Sequence, residues 1–234
     1  MFRSSSTILL LTIFLVTNII LISCIPWKSE QHKGTESKHQ HLLNQTHEYG
    51  QQIHGIFLGD SITEGWLNNG KNVWKQYYSN RHVFNYGIGG DRTEHVLWRI
   101  ENGELDGLNP KLIVFEIGYW NIVMGDSSVD IAEAIRIILE KLLKKFPNTK
   151  ILLISVLPWD HKEDHMQKID EINSIIKNNS DDSKIFYLDL AKYFRNESGQ
   201  LIDEYYNEKT MILSKKGYQI WHKIMKPMFE KLLQ

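Results

Sequence analysis

Five short apolar runs, separated by segments with helical periodicity, constrain the fold of this chain more than any other feature of its sequence. The runs are Ile53–Leu58, His82–Tyr86, Leu112–Gly118, Ile151–Leu157 and Lys184–Leu190. The run Ile151–Leu157 is continuously apolar, which is typical of a strand buried on both faces of a parallel sheet. Between the runs, the segment that Ser127 opens and Pro147 ends repeats apolar residues at helical spacing. This alternation predicts an α/β fold with a parallel five-stranded sheet and right-handed crossovers.

The first 51 residues differ from the rest of the chain. A basic start at Arg3 and an apolar run from Thr7 to Ile25 predict a secretory signal or membrane anchor over residues 1–25. The single cysteine, Cys24, ends a Leu-Ile-Ser-Cys sequence that resembles a bacterial lipobox, in which the cysteine would be acylated. Lipidation, cleaved secretion and an uncleaved anchor are the three alternatives, and each places the protein outside the cytoplasm. Residues 26–51 are polar and predict a flexible linker, so the folded domain is expected over residues 52–234.

Charge and cysteine content exclude several classes of function. A formal net charge of −1 gives no reason to expect a nucleic-acid partner. One cysteine permits neither an intrachain disulfide nor a cysteine-based metal site, and the histidines of the linker are irregularly spaced. We therefore expect no metal site and no cofactor.

The first apolar run stops at Gly59-Asp60-Ser61, which places a serine hydroxyl at the carboxyl end of a strand. Ligands of open α/β sheets bind at that edge, so Ser61 is a candidate nucleophile. The alternative is structural. Asp60 or Ser61 would cap the next helix, with Glu64 closing a capping box.

The second run ends in a glycine-rich turn, Gly87-Ile88-Gly89-Gly90, with Asp91 as the expected cap of the following helix. Such a turn offers backbone N–H groups to an oxyanion. A dinucleotide-binding loop is the competing interpretation of this turn, but the turn lacks the glycine spacing of such a loop.

These residues occur within several separate blocks that resemble the SGNH (GDSL) hydrolase family, and within it the small platelet-activating factor acetylhydrolase-type esterases. The blocks are Gly59-Asp60-Ser61, the segment from Asn85 to Leu105, Gly118, Leu157-Pro158, and the segment from Leu213 to Trp221. The resemblance implies a three-layer α/β/α, flavodoxin-like fold with Ser61 as the nucleophile and Gly90 as an oxyanion donor.

Three positions depart from the family pattern. Trp120 stands where the family has its oxyanion asparagine, and Asn121 follows one residue late as a candidate replacement. Lys209 and Ile212 stand at the positions of the family's aspartate and histidine. Because a serine hydroxyl needs a base to become nucleophilic, these departures predict impaired catalysis and a role in binding a ligand or partner.

An active esterase with a relocated base is the main alternative, and His161, oriented by Asp160 or Asp164, is its candidate base. Further expected contacts to substrate are Asp60, Gly89 and Trp120. The resemblance implies one of two ligands. A lysophospholipase or acetylhydrolase would bind a small acyl ester, and a carbohydrate O-acetyl esterase would bind an acetylated glycan. The resemblance also makes a homo-oligomer or a purely structural, partner-binding role possible.

Overall fold

The computed structural model describes residues 25–207 and 212–234. Its centre is one sheet of five parallel strands in the order β2-β1-β3-β4-β5. The strands are β1 (Gly55–Gly59), β2 (Val83–Gly87), β3 (Leu112–Glu116), β4 (Lys150–Ile154) and β5 (Ile185–Leu188). The order and direction confirm the predicted flavodoxin-like α/β fold.

Helices cover both faces of the sheet. In chain order they are α1 (Glu36–Tyr49), α2 (Ser61–Glu64), α3 (Lys71–Tyr77), α4 (Thr93–Glu101), α5 (Tyr119–Met124), α6 (Ser128–Lys145), α7 (Glu163–Ile176) and α8 (Lys215–Leu232). Helix α6 contacts α4 and α7 in one layer, and α3 contacts α8 in the other. The three layers therefore follow from strands that alternate with amphipathic helices.

The core on the α3/α8 side is a cluster of aromatic side chains. Trp66 contacts Trp74, Tyr78, Tyr218 and Trp221, with ring centroids 4.7–6.3 Å apart. The Tyr218 hydroxyl also donates a hydrogen bond of 2.7 Å to the Ile62 carbonyl. This cluster fixes α8 against α2, the short helix that begins at Ser61.

Of the two caps expected for the longer helices, that of α6 is observed and that of α4 is not. Ser127 Oγ accepts a hydrogen bond from the Asp130 N–H and caps α6. The expected cap of α4 is wrong, because Arg92 occupies the N-cap position and His95 closes the box by accepting the Arg92 N–H. Asp91 is unavailable for capping because its carboxylate pairs with the buried Arg99.

The prediction of a flexible linker over residues 26–51 is also wrong. Helix α1 lies within this segment and packs on the domain, with Leu42 only 6% exposed. His39 Nδ1 lies 2.8 Å from a Glu104 carboxylate oxygen, and Thr46 Oγ1 lies 2.7 Å from the Tyr86 hydroxyl. The segment docks mainly through polar contacts, which explains why its polar sequence resembled a linker.

Within the described ranges, no helix is both long enough and apolar enough to cross a bilayer. The predicted signal or anchor and its Cys24 lie outside the described residues, apart from Ile25.

Candidate active site

Ser61 lies at the carboxyl edge of the sheet, where the sequence predicts it. Strand β1 ends at Gly59, and Asp60 caps α2 by accepting the Ile62 N–H at 2.9 Å. Ser61 itself is 9% exposed. A methyl group on Gly59 would lie 2.2 Å from the Glu116 carbonyl oxygen, so only glycine permits this close approach of β1 to β3.

Two of the predicted substrate contacts are already engaged within the protein. Asp60 is fully buried and its side chain serves as the helix cap, so it cannot contact substrate. The Gly89 N–H donates to Glu64 Oε2 at 2.9 Å, and Glu64 Oε1 pairs with Lys38 at 2.5 Å. Glu64 therefore ties the glycine-rich turn to α2 and α1 instead of closing a capping box.

Gly90 has the geometry of an available donor. Its φ of +85° lies in the left-handed region that favours glycine, and its N–H has no hydrogen-bond partner among the described residues. A methyl group on Gly90 would lie 3.1 Å from His32 Cε1, so the N-terminal segment passes directly beside this turn. The expectation that Gly90 offers an oxyanion donor stays a prediction.

Trp120 is the side chain that reaches the candidate nucleophile. Its indole Nε1–H donates to Ser61 Oγ at 3.3 Å, and its ring packs against Trp159 with centroids 5.5 Å apart. Asn121, the candidate oxyanion donor, is fully buried. Its Nδ2 donates to Glu94 and Asp126, and its Oδ1 accepts from the Thr93 N–H. Both Asn121 N–H groups are therefore committed, and we reject Asn121 as a catalytic donor.

No imidazole in the described parts of the chain hydrogen-bonds to Ser61 Oγ. Ile212 packs beside α2, since a methyl group on Gly65 would lie 3.3 Å from Ile212 Cγ2. An aliphatic side chain thus lies beside α2 at the position where the sequence comparison predicts the family's histidine, while Lys209 lies outside the described residues.

His161 is not placed as a base. Its side chain is 59% exposed and its Nε2 lies 3.2 Å from Asp203. Asp160 bonds to the Tyr119 hydroxyl at 2.8 Å and to His165 Nδ1 at 2.9 Å, so it orients a different histidine. The prediction that Asp160 would direct His161 toward Ser61 is therefore wrong.

His32, a residue of the N-terminal segment that was not among the predicted site residues, lies next to the glycine-rich turn. His32 Nδ1 is 2.8 Å from Asp91 Oδ1, and the buried Arg99 Nε is 2.8 Å from Asp91 Oδ2. A carboxylate oxygen can only accept, so Nδ1 of His32 is the donor of this hydrogen bond. Its Nε2 has no hydrogen-bond partner within the described residues.

His32, Asp91 and His95 also bring three potential metal-ligand atoms within 4.8 Å of one another. The hydrogen bonds account for these atoms without a metal, since His95 Nδ1 accepts the Arg92 N–H at 3.0 Å. Burial lowers the pKa of His95 to about 4, which keeps it a neutral acceptor. The Arg99 guanidinium on Asp91 further disfavours a cation, so the trio is best explained as a cap and an ion pair.

Two carboxyl groups are buried beneath Ser61. Glu116, at the end of β3, is 1% exposed and neither of its side-chain oxygens has a hydrogen-bond partner within the described residues. Burial raises the pKa of Glu116 well above its usual range, and the Asp60 carboxyl raises it further. Burial likewise raises the pKa of Asp60 to about 7. The two carboxyl groups therefore titrate as a coupled pair, and both hold their protons more tightly than exposed acids do.

Comparison with known proteins identifies the family. The family model described as GDSL-like Lipase/Acylhydrolase matches residues 57–220, which is most of the chain and includes Ser61, Gly90 and Trp120. The chain therefore belongs to the GDSL-like lipase/acylhydrolase, or SGNH, family.

Individual relatives agree with this assignment. The platelet-activating factor acetylhydrolase IB subunit beta homolog of Drosophila melanogaster is 35% identical over 145 residues, which are 62% of each chain. The human alpha2 subunit of the same enzyme is 35% identical over 123 residues, or 52% of each chain. The chain thus matches between half and two thirds of the length of these relatives.

A solved structure shows the same fold. A GDSL-like lipase from Bacteroides thetaiotaomicron superposes with a TM-score of 0.70 at 21% identity, covering 83% of this chain and 98% of that one. At this identity the likeness concerns the fold alone.

Proposed function

We propose that the protein is an acylhydrolase scaffold whose hydrolytic step is impaired and which acts by binding an acyl ligand or a partner. The environment of Ser61 Oγ carries the proposal: it accepts a hydrogen bond from the Trp120 indole, and Ile212 stands beside its helix. An indole N–H is a donor and cannot take the serine proton, and the hydrocarbon side chain of Ile212 has no basic atom.

The expected loss of rate is large. Removing the triad histidine of a serine protease lowers kcat by about a millionfold, and removing one oxyanion donor costs about a hundred- to a thousandfold. With both changes present, the base-assisted attack of the serine that the family uses would be lost. The remaining rate of hydrolysis would be about what substrate binding and the remaining oxyanion donors support alone.

The test is turnover of p-nitrophenyl acetate by the purified protein and by its Ser61→Ala variant. We expect equal, background rates, because an unactivated serine contributes nothing to turnover. A rate that falls at least tenfold in Ser61→Ala would contradict the proposal.

A second candidate function is a slow esterase in which His32 is the relocated base. The favouring observation is the His32–Asp91 pair, in which a free Nε2 lies beside Gly90. This function requires the His32 ring to turn toward Ser61 when substrate binds. Serine-dependent turnover that is lost in His32→Gln and kept in His47→Gln, a change at an exposed histidine of α1, would select this candidate.

The ligand class and the cellular location belong to the same proposal. The named relatives are acetylhydrolases, which supports an acetyl or other short acyl group, on a lipid or a glycan, as the recognised moiety. The apolar N-terminal run supports an extracytoplasmic location, with attachment through that run or a lipidated Cys24. The mass of the mature protein distinguishes a cleaved, an acylated and an intact N-terminus.

A further inference from the structure

The N-terminal segment and the carboxyl edge of the sheet line an open cavity of about 320 Å³. Its lining includes His32, Lys33, Gly90, Arg92, Trp120 and Met124. The residues before α1 thus form one wall, and the glycine-rich turn with Trp120 of α5 forms the other. Because Trp120 also hydrogen-bonds to Ser61 Oγ, the cavity adjoins the candidate nucleophile.

Several hydrogen-bond donors in this cavity have no acceptor, or only a weak one, within the described residues. The Gly90 N–H has no partner among the described residues, and the Lys33 ammonium group has none either. The Trp120 indole N–H has only a 3.3 Å contact with Ser61 Oγ, which is long for an N–H to oxygen bond and therefore easily exchanged. Backbone, indole and ammonium donors together suit an acceptor that carries negative charge.

The charges around the cavity support an anion as well. Lys33 is exposed and unpaired within the described residues, whereas Arg92 already contacts Glu94 at 3.0 Å. Glu30 is the acidic side chain of the lining, and it opposes an anion. Lys33 therefore offers the free positive charge to a ligand, and Glu30 should weaken the binding of an anion.

We propose that this cavity binds a small carboxylate with a short apolar tail, held by Lys33, the Gly90 N–H and the Trp120 indole N–H. An ester carbonyl bears full negative charge only in the transition state, whereas a carboxylate bears it permanently. Donors that include a positive charge therefore favour a carboxylate over a neutral ester. Trp120 and Met124 supply apolar surface for the tail. The proposal rests on the impaired function above and gives it a ligand class.

The test is a titration of ¹⁵N-labelled protein with butyrate, followed through the indole N–H signals of its seven tryptophans. Trp120→Phe removes one signal and so identifies the signal of Trp120. Butyramide, a neutral molecule of the same shape, is the control ligand. We expect butyrate to shift the Trp120 signal with saturation and to bind about tenfold more tightly than butyramide, because a charge-assisted hydrogen bond is stronger than a neutral one.

Variants locate the site without touching Ser61. Lys33→Gln should weaken butyrate binding by about tenfold, Glu30→Gln should strengthen it, and Lys231→Gln at the far end of α8 should leave it unchanged. Equal affinity for butyrate and butyramide, an unmoved Trp120 signal, or full affinity in Lys33→Gln would each overturn the proposal. Ester turnover is a separate measurement, so failure of the carboxylate site and failure of the impaired function are distinguishable.

Discussion

Replacing Glu116 by glutamine should stabilise the protein, and by an amount that grows with pH. Glu116 is buried without a hydrogen-bond partner in the described structure, and burial raises its pKa well above the usual 4.5. Between the ordinary pKa and the raised one, the folded protein therefore keeps a Glu116 proton that the unfolded chain loses. Folding must take up that proton, and glutamine removes the need.

The magnitude is set by how far the pH lies above the ordinary pKa of 4.5. Each pH unit between that ordinary pKa and the raised pKa of the folded protein adds about 1.36 kcal/mol to the cost of taking up the Glu116 proton. The direction of this pH dependence is the one expected for any acid whose pKa is raised by folding. The unfolded state binds fewer protons, so the free energy of unfolding of the unmodified protein falls as pH rises above about 4.5.

Urea unfolding of the protein and of Glu116→Gln at pH 5, 6 and 7 measures this difference directly. Glu197→Gln, at an exposed loop position, is the matched control and should show no pH-dependent gain. A gain that is the same at every pH, or a net destabilisation at pH 7, would refute the argument that burial keeps Glu116 protonated.

Three further predictions concern the fold and the departures from the family pattern. Leu42→Ala, in α1, should lower the free energy of unfolding by about 2–4 kcal/mol in the denaturant assay. Leu67→Ala, at a half-exposed position, should lower it by under about 1 kcal/mol. Equal small losses for the two variants would show that α1 is not packed on the domain. Gly59→Ala should cost more than about 3 kcal/mol because its methyl group would meet the Glu116 carbonyl, while Gly107→Ala, which has free space but a φ of +74°, should cost about 1 kcal/mol; similar unfolding midpoints for the two variants would argue against the close approach of β1 and β3. The triple variant Trp120→Asn, Lys209→Asp, Ile212→His should raise p-nitrophenyl acetate turnover by at least about a thousandfold, and adding Ser61→Ala should abolish the gain; no gain in a folded triple variant would mean that the pocket differs from that of an active relative in more than these three positions.

The sequence predicts the sheet well because its signal is local. Continuous apolar runs such as Ile151–Leu157 can be satisfied only by burial on both faces, and the observed β4 lies within one residue of that run at its start. The block order along the chain likewise predicts that Ser61, the glycine-rich turn and Trp120 meet at one edge, which the structure confirms for Ser61 and Trp120.

Helix α1 could not be predicted from its sequence because its docking is mostly polar. Lys38 and His39 pair with Glu64 and Glu104, residues far along the chain, and Leu42 is the apolar side chain of α1 that becomes buried. Hydrophobic periodicity is therefore weak, and the pairing partners are visible only in three dimensions. The positions of His32 and Lys33 beside Gly90 follow from the same docking.

The errors at the site have a common physical cause. Asp60, Gly89 and Asn121 carry groups suited to catalysis, but each is consumed by a nearby structural hydrogen bond, to Ile62, Glu64 and Glu94 respectively. Sequence shows which donors and acceptors exist and not which are already satisfied. Glu116 was detectable in principle, because it is an acid at the end of an otherwise apolar strand.

Labelling of Ser61 by a fluorophosphonate, read by the intact mass of the protein, tests the impaired-hydrolase account most directly. The reagent reacts with a serine that a base has activated, and the triple variant described above provides a positive control. The account predicts no added mass on the unmodified protein under conditions that label the triple variant. Stoichiometric labelling of the unmodified protein, lost in Ser61→Ala, would contradict it.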